Sequence, residues 1–317
     1  MLAVLTVTFP FFALVLCGYV ATQARVLPLT AISGLNSFVL FFALPCMLFR
    51  FGASTPIGQL LDPAAAAVYL FAGLLLIAGT VAATLRRWGW NDAAFGALVT
   101  AFPNSGFMGV PLLVVLLGTA SAGPVIMTVA LDMVVTTSLC IALSRLGLGG
   151  GSAGRALRMA FKGVLVNPLP WAIGLGGVAS ALQWQLPGPL DKTIAMLADA
   201  ASPVALFTIG AVLARSQINQ SEQVAPRHYV PLALVKLLLH PVLVWLACQA
   251  ALAAGWPLSH PTIIALVLTA ALPSASNVSL LAERFDAHGG RVARIILVST
   301  VLAFLSFSAA VAWLVGG

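Results

Sequence analysis

Two long apolar segments of the chain are interrupted by proline and small polar residues. Their sequences are TAFPNSGFMGVP, from Thr100 to Pro111, and TAALPSASN, from Thr269 to Asn277. Proline costs about 3 kcal/mol inside a helix and leaves backbone groups without partners. At membrane depth such backbone is tolerated only where it is buried in protein or lines a cavity. Two corresponding interruptions therefore predict the binding site of a solute carrier.

The type of residue at the interruptions predicts which solute binds. If the two segments cross there, the half-helices that begin after Pro103 and Pro273 aim two N-termini at one point, each with about half a positive charge. We expect an anion site that takes a small carboxylate. The predicted substrate-binding residues, which can donate to a ligand, cap a half-helix or allow close approach, are Pro103, Asn104, Ser105, Gly106, Pro273, Ser274 and Asn277. The alternative is that proline only kinks each helix while Ser and Asn satisfy the freed backbone.

A few ionisable residues fall inside apolar segments, where a charge is costly and is a functional candidate. Lys236 and His240 are four residues apart and share a helix face, and Asp132 is a candidate partner. Two roles stay open for these three residues: compensating the charge of the helix ends, or relaying a proton and contacting the substrate. For Asp199 we expect a buried, hydrogen-bonded carboxylate.

Composition defines the elements that must hold these residues. The 317 residues are 61% hydrophobic and only 7% charged, and the mean hydropathy is +1.07. Soluble domains carry about 25% charged residues, so we predict an integral membrane protein with ten spans of about 20 residues. The first span is read as a helix and not as a cleaved signal peptide. The four cysteines form no C-x-x-C pair, and we expect no metal, no cofactor and no disulfide.

The basic residues lie singly or in small groups between the predicted spans, which excludes nucleic acid as a partner and indicates topology. Twelve of the 15 Lys and Arg fall in loops on one side, which should be cytoplasmic. Both termini are therefore expected outside the cytoplasm, in a multi-pass protein of the cell's inner (plasma) membrane. The predicted spans are 3–21, 32–50, 65–85, 93–117, 122–144, 162–181, 190–214, 229–250, 260–283 and 292–314.

The two halves of the chain carry matching marks. Pro103 and Pro273 lie 170 residues apart, while Pro45 and Pro203 lie 158 apart. Five spans per half give the halves opposite orientations, so we predict two inverted repeats. The predicted division is 1–145 for the first repeat, 146–160 for a Gly-rich cytoplasmic linker and 161–317 for the second repeat.

Six segments in this order resemble the auxin efflux carrier family, whose bacterial members include permeases for malonate and other organic acids. They are LNSFVLFFALPCMLF (Leu35–Phe49), PNSGFMGVPLL (Pro103–Leu113), NPLPWAIGLGG (Asn167–Gly177), ASPVALFTIGAVLA (Ala201–Ala214), KLLLHPVLVW (Lys236–Trp245) and LPSASNVSLLAERF (Leu272–Phe285). The chain differs from the plant carriers in having the short linker in place of their long hydrophilic loop.

The resemblance implies an all-α fold with ten transmembrane helices, in which helices four and nine cross at their prolines as in sodium/proton antiporters. It implies a scaffold of spans 1, 2, 6 and 7, a transport part of spans 3–5 and 8–10, and an elevator-type movement. In the plant relatives the crossover prolines and asparagines bind the substrate carboxylate, and the matching positions are Pro103, Asn104, Pro273 and Asn277. A homodimer is also implied.

The predicted function is thus secondary active transport of a small organic anion, with H⁺ or Na⁺ as the possible coupling ion. A cation/proton antiporter or sodium-coupled symporter of the same fold is the alternative, although neither interruption contains the acidic residue that an antiporter usually needs. An intramembrane enzyme is disfavoured because the chain shows no D-x-x-D cluster and no H-E-x-x-H motif.

Overall fold

The structure is a computed structural model that describes residues 2–60, 62–146, 154, 158, 162, 163, 165–218 and 224–315. For residues 2–5, 57 and 59 it describes the backbone alone. Most of the predicted linker, 146–160, and residue 164 of predicted span six lie outside the described residues.

Every regular element in these ranges is a helix. In chain order they are α1 (Leu2–Gln23), α2 (Ala31–Ser54), α3 (Ile57–Leu60), α4 (Pro63–Ala101), α5 (Ser105–Leu117), α6 (Thr119–Ser144), α7 (Pro168–Ala181), α8 (Gly188–Ile218), α9 (Val230–Ala253), α10 (His260–Ala271), α11 (Val278–Arg284) and α12 (Gly289–Val315).

Seven of these helices are long and apolar enough to cross a membrane, counted over the described residues, and they are α1, α2, α4, α6, α8, α9 and α12. Helices α5 and α10 are apolar but shorter. The chain is therefore a multi-pass membrane protein by the length and composition of its helices. The count of ten spans stays a prediction.

One loop expected from the sequence is replaced by a continuous helix with a kink. The polar stretch from Arg86 to Asp92 was expected to separate two spans, yet α4 runs through it with a single non-helical residue, Gly89, at φ 72° and ψ 173°. A positive φ is accessible to glycine without steric cost, so one residue is enough to redirect the helix. The change of direction thus needs no connecting segment.

Four helices contain a π-helical turn, which has one residue more than an α-helical turn. These turns are Val39–Ala43 in α2, Ser105–Gly109 at the start of α5, Asp132–Thr136 in α6 and Val235–Leu239 in α9. The last three begin at or contain Ser105, Asp132 and Lys236, all of which the sequence marks as candidates.

Contacts between residues divide the chain into two compact units. The first unit comprises Met1–Asp62, Ser105–Ala130 and Asn167–Asn219, and the second comprises Pro63–Asn104, Leu131–Val166 and Gln220–Gly317. Each unit takes segments from both halves of the sequence. The division into two repeats and a linker, and the assignment of spans to a scaffold and a transport part, stay predictions.

In the first unit, glycines allow two helix pairs to pack closely. A Cβ at Gly18 of α1 would lie 1.9 Å from the carbonyl oxygen of Phe207, and a Cβ at Gly210 of α8 would lie 1.8 Å from that of Val15. A Cβ at Gly176 of α7 would lie 2.6 Å from the Phe49 oxygen of α2. Small residues let membrane helices approach to backbone contact, where dispersion replaces the missing hydrophobic drive. The pairs α1–α8 and α2–α7 are therefore held by backbone packing.

The core of the second unit is apolar with a few fully buried polar side chains. Phe95 of α4 and Phe307 of α12 are among its largest buried residues, and so is Lys236 of α9. A lysine is rarely buried without partners, since removing its charge from water is costly. The groups that surround Lys236 therefore belong to the description of the site.

Candidate functional site

The first interruption breaks the chain between α4 and α5. Helix α4 ends at Ala101, Phe102 to Asn104 are not helical, and α5 begins at Ser105. Pro103 has no N–H to donate and disfavours the helical conformation for the residue before it, which accounts for the end of α4. Phe102, Asn104 and Ser105 are all buried.

The second interruption lies between α10 and α11. Helix α10 ends at Ala271, and Leu272 is extended, with φ −62° and ψ 155°, before Pro273. Asn277 precedes the first residue of α11, but its side chain accepts no hydrogen bond from that helix. Of the two roles left open for Asn277, capping of the half-helix is therefore not observed.

The two interruptions pair with each other inside the second unit. The Asn104 N–H donates to the Pro273 oxygen at 2.8 Å, and the Ala275 N–H donates to the Phe102 oxygen at 2.9 Å. Pro103 and Ser274 form an isolated antiparallel bridge. The backbone released by the two prolines thus satisfies part of its hydrogen bonding by mutual pairing.

Ser274 has a further partner. Its N–H donates to the Ser299 Oγ of α12 at 3.2 Å. Ser299 in turn donates to the Ile296 oxygen of its own helix at 3.0 Å. A third helix therefore holds the second interruption in place.

Three side-chain atoms at the paired interruptions are buried and have no hydrogen-bond partner among the described residues. They are Asn104 Oδ1, Ser274 Oγ and Asn277 Oδ1. Buried polar groups without a partner are uncommon in proteins, and each one requires an explanation such as a bound ligand or ion. Three predicted site residues in the paired segments thus each carry an unused polar atom.

Ser105 and Gly106 continue the chain directly after Asn104. They open the π-helical turn at the start of α5, and their contacts place them in the first unit. A Cβ at Gly106 would lie 3.9 Å from Val129, which is ordinary van der Waals contact. Close packing therefore does not require glycine at position 106.

The intramembrane charges of the second unit form a buried cluster. The Lys236 Nζ donates to the Ala270 oxygen at 2.6 Å and lies 3.1 Å from the His240 Nδ1. The His240 Nε2 has no partner among the described residues. Because Ala270 is in the last turn of α10, the ammonium lies at the negative end of the helix that precedes the second interruption.

Asp132 is held by neutral donors. The Tyr69 Oη donates to its Oδ2 at 2.7 Å, and the Thr136 Oγ1 donates to its Oδ1 at 3.0 Å. The ring centroids of Tyr69 and His240 are 6.2 Å apart, so the aspartate and the lysine–histidine pair border one another through the tyrosine. Hydrogen bonding of this kind allows a carboxylate to remain buried.

Sequence reasoning missed Tyr69 and Ser299. Tyr69 is one of only three tyrosines in the chain, and a buried aspartate needs donors from neighbouring helices, so Tyr69 was a findable partner. Ser299 gives no comparable signal, because serine is common in membrane helices and its role depends on the placement of α12.

The expectation for Asp199 was wrong. Its side chain is 78% exposed and pairs with Arg50, with 3.4 Å between Asp199 Oδ1 and Arg50 Nη1. This exposed pair borders a cavity of about 670 Å³ in the first unit, which Trp184 also lines.

The helices, the paired interruptions and the buried charges define an integral membrane protein with a polar site inside its apolar core. The chain matches the family of membrane transport proteins over residues 3–147 and 153–311. It belongs to that family, which is the auxin efflux carrier family, and it is a membrane transporter.

Individual relatives agree with this class. The chain is 28% identical over 301 residues to a protein of Rhizobium meliloti (strain 1021) named "Putative malonate transporter", covering 92% of this chain and 90% of the relative. It is also 28% identical to "Uncharacterized transporter YfdV" of Escherichia coli (strain K12), over 68% of this chain and 65% of that protein. An "Uncharacterized transporter" of Methanothermobacter thermautotrophicus is 28% identical over 92% of both chains.

Proposed function

We propose that the protein is a secondary active transporter of a small organic anion, whose carboxylate binds at the paired interruptions. The observation that carries this proposal is the group of unused polar atoms on Asn104, Ser274 and Asn277. The two asparagine amides can turn by 180° to present NH₂ in place of oxygen, and the serine hydroxyl is also a donor. Three neutral donors around one carboxylate would provide hydrogen-bond partners for the three side chains and for the carboxylate.

The buried cation beside the site supports an anionic substrate. Lys236 is fully buried and contacts the last turn of α10. We assign to Lys236 the compensation of that helix end, which keeps the negative dipole from repelling an anion. Proton relay through Lys236, His240 and Asp132 is the alternative role, and a pH gradient as driving force would favour it.

The pairing register supports an inverted repeat. Residue 103 lies opposite 274, and residue 104 lies opposite 273. Adding 170 to residue 103 and subtracting 170 from residue 274 gives residues 273 and 104, which are the second pair. The pairing is therefore unchanged when the two segments are exchanged. The two close helix pairs of the first unit are also related by exchange of the halves. The pair α1–α8 joins predicted spans one and seven, and the exchange turns these into spans six and two, which form the pair α7–α2. We therefore propose two inverted five-helix repeats in which helices four and nine cross.

Further parts of the proposal follow from charge distribution and family. The excess of Lys and Arg in one set of loops supports a plasma-membrane protein with both termini outside the cytoplasm. An elevator-type movement and a homodimer extend the proposal from the resemblance.

A specific observation also favours a second candidate, Na⁺ binding. Oxygen ligands are what hard cations require, and Asn104 Oδ1, Ser274 Oγ and Asn277 Oδ1 are oxygens without protein partners. The same atoms could hold Na⁺ in a sodium-coupled symporter or a cation antiporter. The two functions differ in which solute crosses the membrane.

Uptake into proteoliposomes tests both. Labelled malonate, the anion in the name of the Rhizobium meliloti relative, is compared with other mono- and dicarboxylates under imposed pH and Na⁺ gradients. The proposal expects saturable carboxylate uptake that Asn104→Ala and Asn277→Ala abolish or strongly weaken. Asn36→Ala, at a half-buried asparagine of α2, is the matched control and should transport normally.

Undiminished carboxylate uptake by both variants would exclude the paired interruptions as the site. Movement of Na⁺ or H⁺ without any carboxylate would replace the anion carrier by the antiporter.

A further inference from the structure

Basic side chains from two segments of the second unit pack against Trp88. The Arg291 guanidinium lies 3.9 Å from the centroid of the Trp88 ring, stacked as a cation–π pair. His228 contacts the same indole edge-on, with 6.4 Å between ring centroids. Trp88 is in α4, His228 lies just before α9, and Arg291 is in the first turn of α12.

Further positive groups lie around His228. Its partial burial, and then the charges of four neighbours, lower the pKa of His228; the neighbours are Arg227, Arg291, Arg87 and His288. Arg87 adjoins Trp88 and Arg227 adjoins His228 in the chain, so the contact between the two rings places both arginines beside one ring pair. We call Arg87, Arg227, His228, His288 and Arg291 the basic cluster.

One carboxylate contacts the cluster. The Asp92 Oδ2 lies 3.2 Å from the Arg291 Nη1, and its Oδ1 accepts the His288 N–H at 2.9 Å. The ion pair with Asp92 explains how the charge of Arg291 can be buried, since this residue is only 8% exposed. Arg87 and Arg227 are exposed and have no ion pair among the described residues. The cluster therefore keeps positive charge that the described protein does not neutralise.

The cluster lies at the ends of apolar helices. Trp88 comes directly before the kink at Gly89 that ends the long apolar part of α4, and Arg227 and His228 lie within three residues of the start of α9. Half-buried tryptophans, here Trp88 and Trp90, are typical of the level of lipid headgroups. Basic groups at that depth attract anionic lipids.

We infer that the basic cluster binds the phosphate of an acidic phospholipid headgroup, with Arg87 and Arg227 as its principal ligands and Trp88 packed behind them. A phosphate oxygen accepts hydrogen bonds from several guanidinium groups at once, which matches arginines delivered by two separate segments. The position at the helix ends favours a lipid over a free anion, since a lipid presents its phosphate at this level at high local concentration. This site is separate in chemistry and in residues from the proposed carboxylate site.

Native mass spectrometry of the detergent-purified full chain, with thermal melting as a second readout, tests the inference. Phosphatidylglycerol and cardiolipin are titrated against phosphatidylcholine, whose headgroup has no net charge. We expect acidic lipids to be retained and to raise the melting temperature, while phosphatidylcholine does neither. The double variant Arg87→Gln, Arg227→Gln should bind acidic lipid roughly 25-fold more weakly, since each basic residue near the surface contributes about a factor of five.

The control is Arg25→Gln combined with Arg215→Gln, which removes the same charge from the same predicted face in the first unit. Both double variants change exposed or half-buried side chains, and size-exclusion chromatography checks their folding. Equal weakening in both would show general electrostatic attraction and overturn the site. Inorganic phosphate at millimolar concentration is the remaining arm. If it stabilises the wild type while acidic lipid does not, the cluster is a soluble-anion site and the lipid assignment is wrong.

Discussion

At the first interruption, a neutral hydroxyl near the end of α4 bonds within its own helix and lies close to a second hydroxyl. The Thr100 Oγ1 donates to the Gly96 and Ala97 oxygens at 3.1 and 2.9 Å, and it lies 3.4 Å from the Thr80 Oγ1. At the second interruption, the last turn of α10 receives the ammonium of Lys236 from α9 instead. The two breaks match in sequence and pair in space, yet among the described residues a charged side chain bonds only the second.

The two breaks are therefore alike in backbone pairing and different in electrostatics. A hydroxyl bonded to its own helix leaves the net charge of the site unchanged, whereas a buried ammonium adds a positive potential that falls slowly in a low-dielectric interior. The electrostatic support of an anion at the paired interruptions should therefore come from the second break, through Lys236.

The largest effect is expected from Lys236→Met. This change removes a charge-assisted hydrogen bond worth about 1.5–3 kcal/mol and leaves the Ala270 oxygen buried without a donor. We expect the free energy of unfolding to fall by about 2–3 kcal/mol and carboxylate uptake to fall by about 100-fold. Lys236→Gln keeps a donor but no charge, so it should recover stability more than uptake. Full uptake by Lys236→Met would show that the ammonium does not support anion binding at the second break.

Asn104→Ala and Asn277→Ala compare the two breaks directly at the ligand. Each removes a hydrogen bond to a charged ligand, so we expect uptake to fall by about tenfold to 100-fold. Stability should change by less than about 0.5 kcal/mol, because neither Oδ1 has a partner in the described protein. Thermal melting beside uptake separates the two readouts, and a large loss of stability in either variant would show that the amide has a structural role.

Ser299→Ala tests the support that is specific to the second break. It removes the acceptor of the Ser274 N–H, which costs about 1 kcal/mol. We expect the KM for the carboxylate to rise several-fold with little change in maximal rate, because Ser274 loses its fixed position. An unchanged KM would indicate that pairing with the first break is enough to hold Ser274.

The smallest effect is expected from Thr100→Val at the first break. Its hydroxyl bonds carbonyls of its own helix that already have backbone partners, so removal should cost less than about 1 kcal/mol. Uptake should stay within about twofold of wild type. A loss as large as that of Lys236→Met would show that the two helix ends are equivalent after all.

Much of the site could be predicted from sequence because proline and charge are strong local signals. Pro103 and Pro273 each lie two residues beyond the end of a helix and are followed by small polar residues, whereas Pro10 and Pro203 lie inside helices. Lys236 and His240 meet because their spacing matches a helix turn. The family was also predicted correctly, from motifs in a fixed order.

The remainder depends on tertiary placement. The burial of Asp199 was misjudged because the sequence does not distinguish a buried aspartate in an apolar segment from one at an exposed helix surface. The loop expected near Gly89 is not observed because a single residue with a positive φ is enough to change the direction of the helix. The contact of Ser299 with Ser274 joins residues 25 positions apart through helix packing that no local pattern encodes.

The π-helical turns have a consequence for the phase of the helices. An α-helix advances about 100° per residue, so a turn with one extra residue shifts every side chain beyond it by about that angle relative to those before it. Asp132–Thr136 and Val235–Leu239 therefore divide α6 and α9 into two portions that are out of phase. A residue that a continuous helical wheel places towards lipid can thus face the interior. Deletion of a single residue in such a turn would restore one phase throughout the helix.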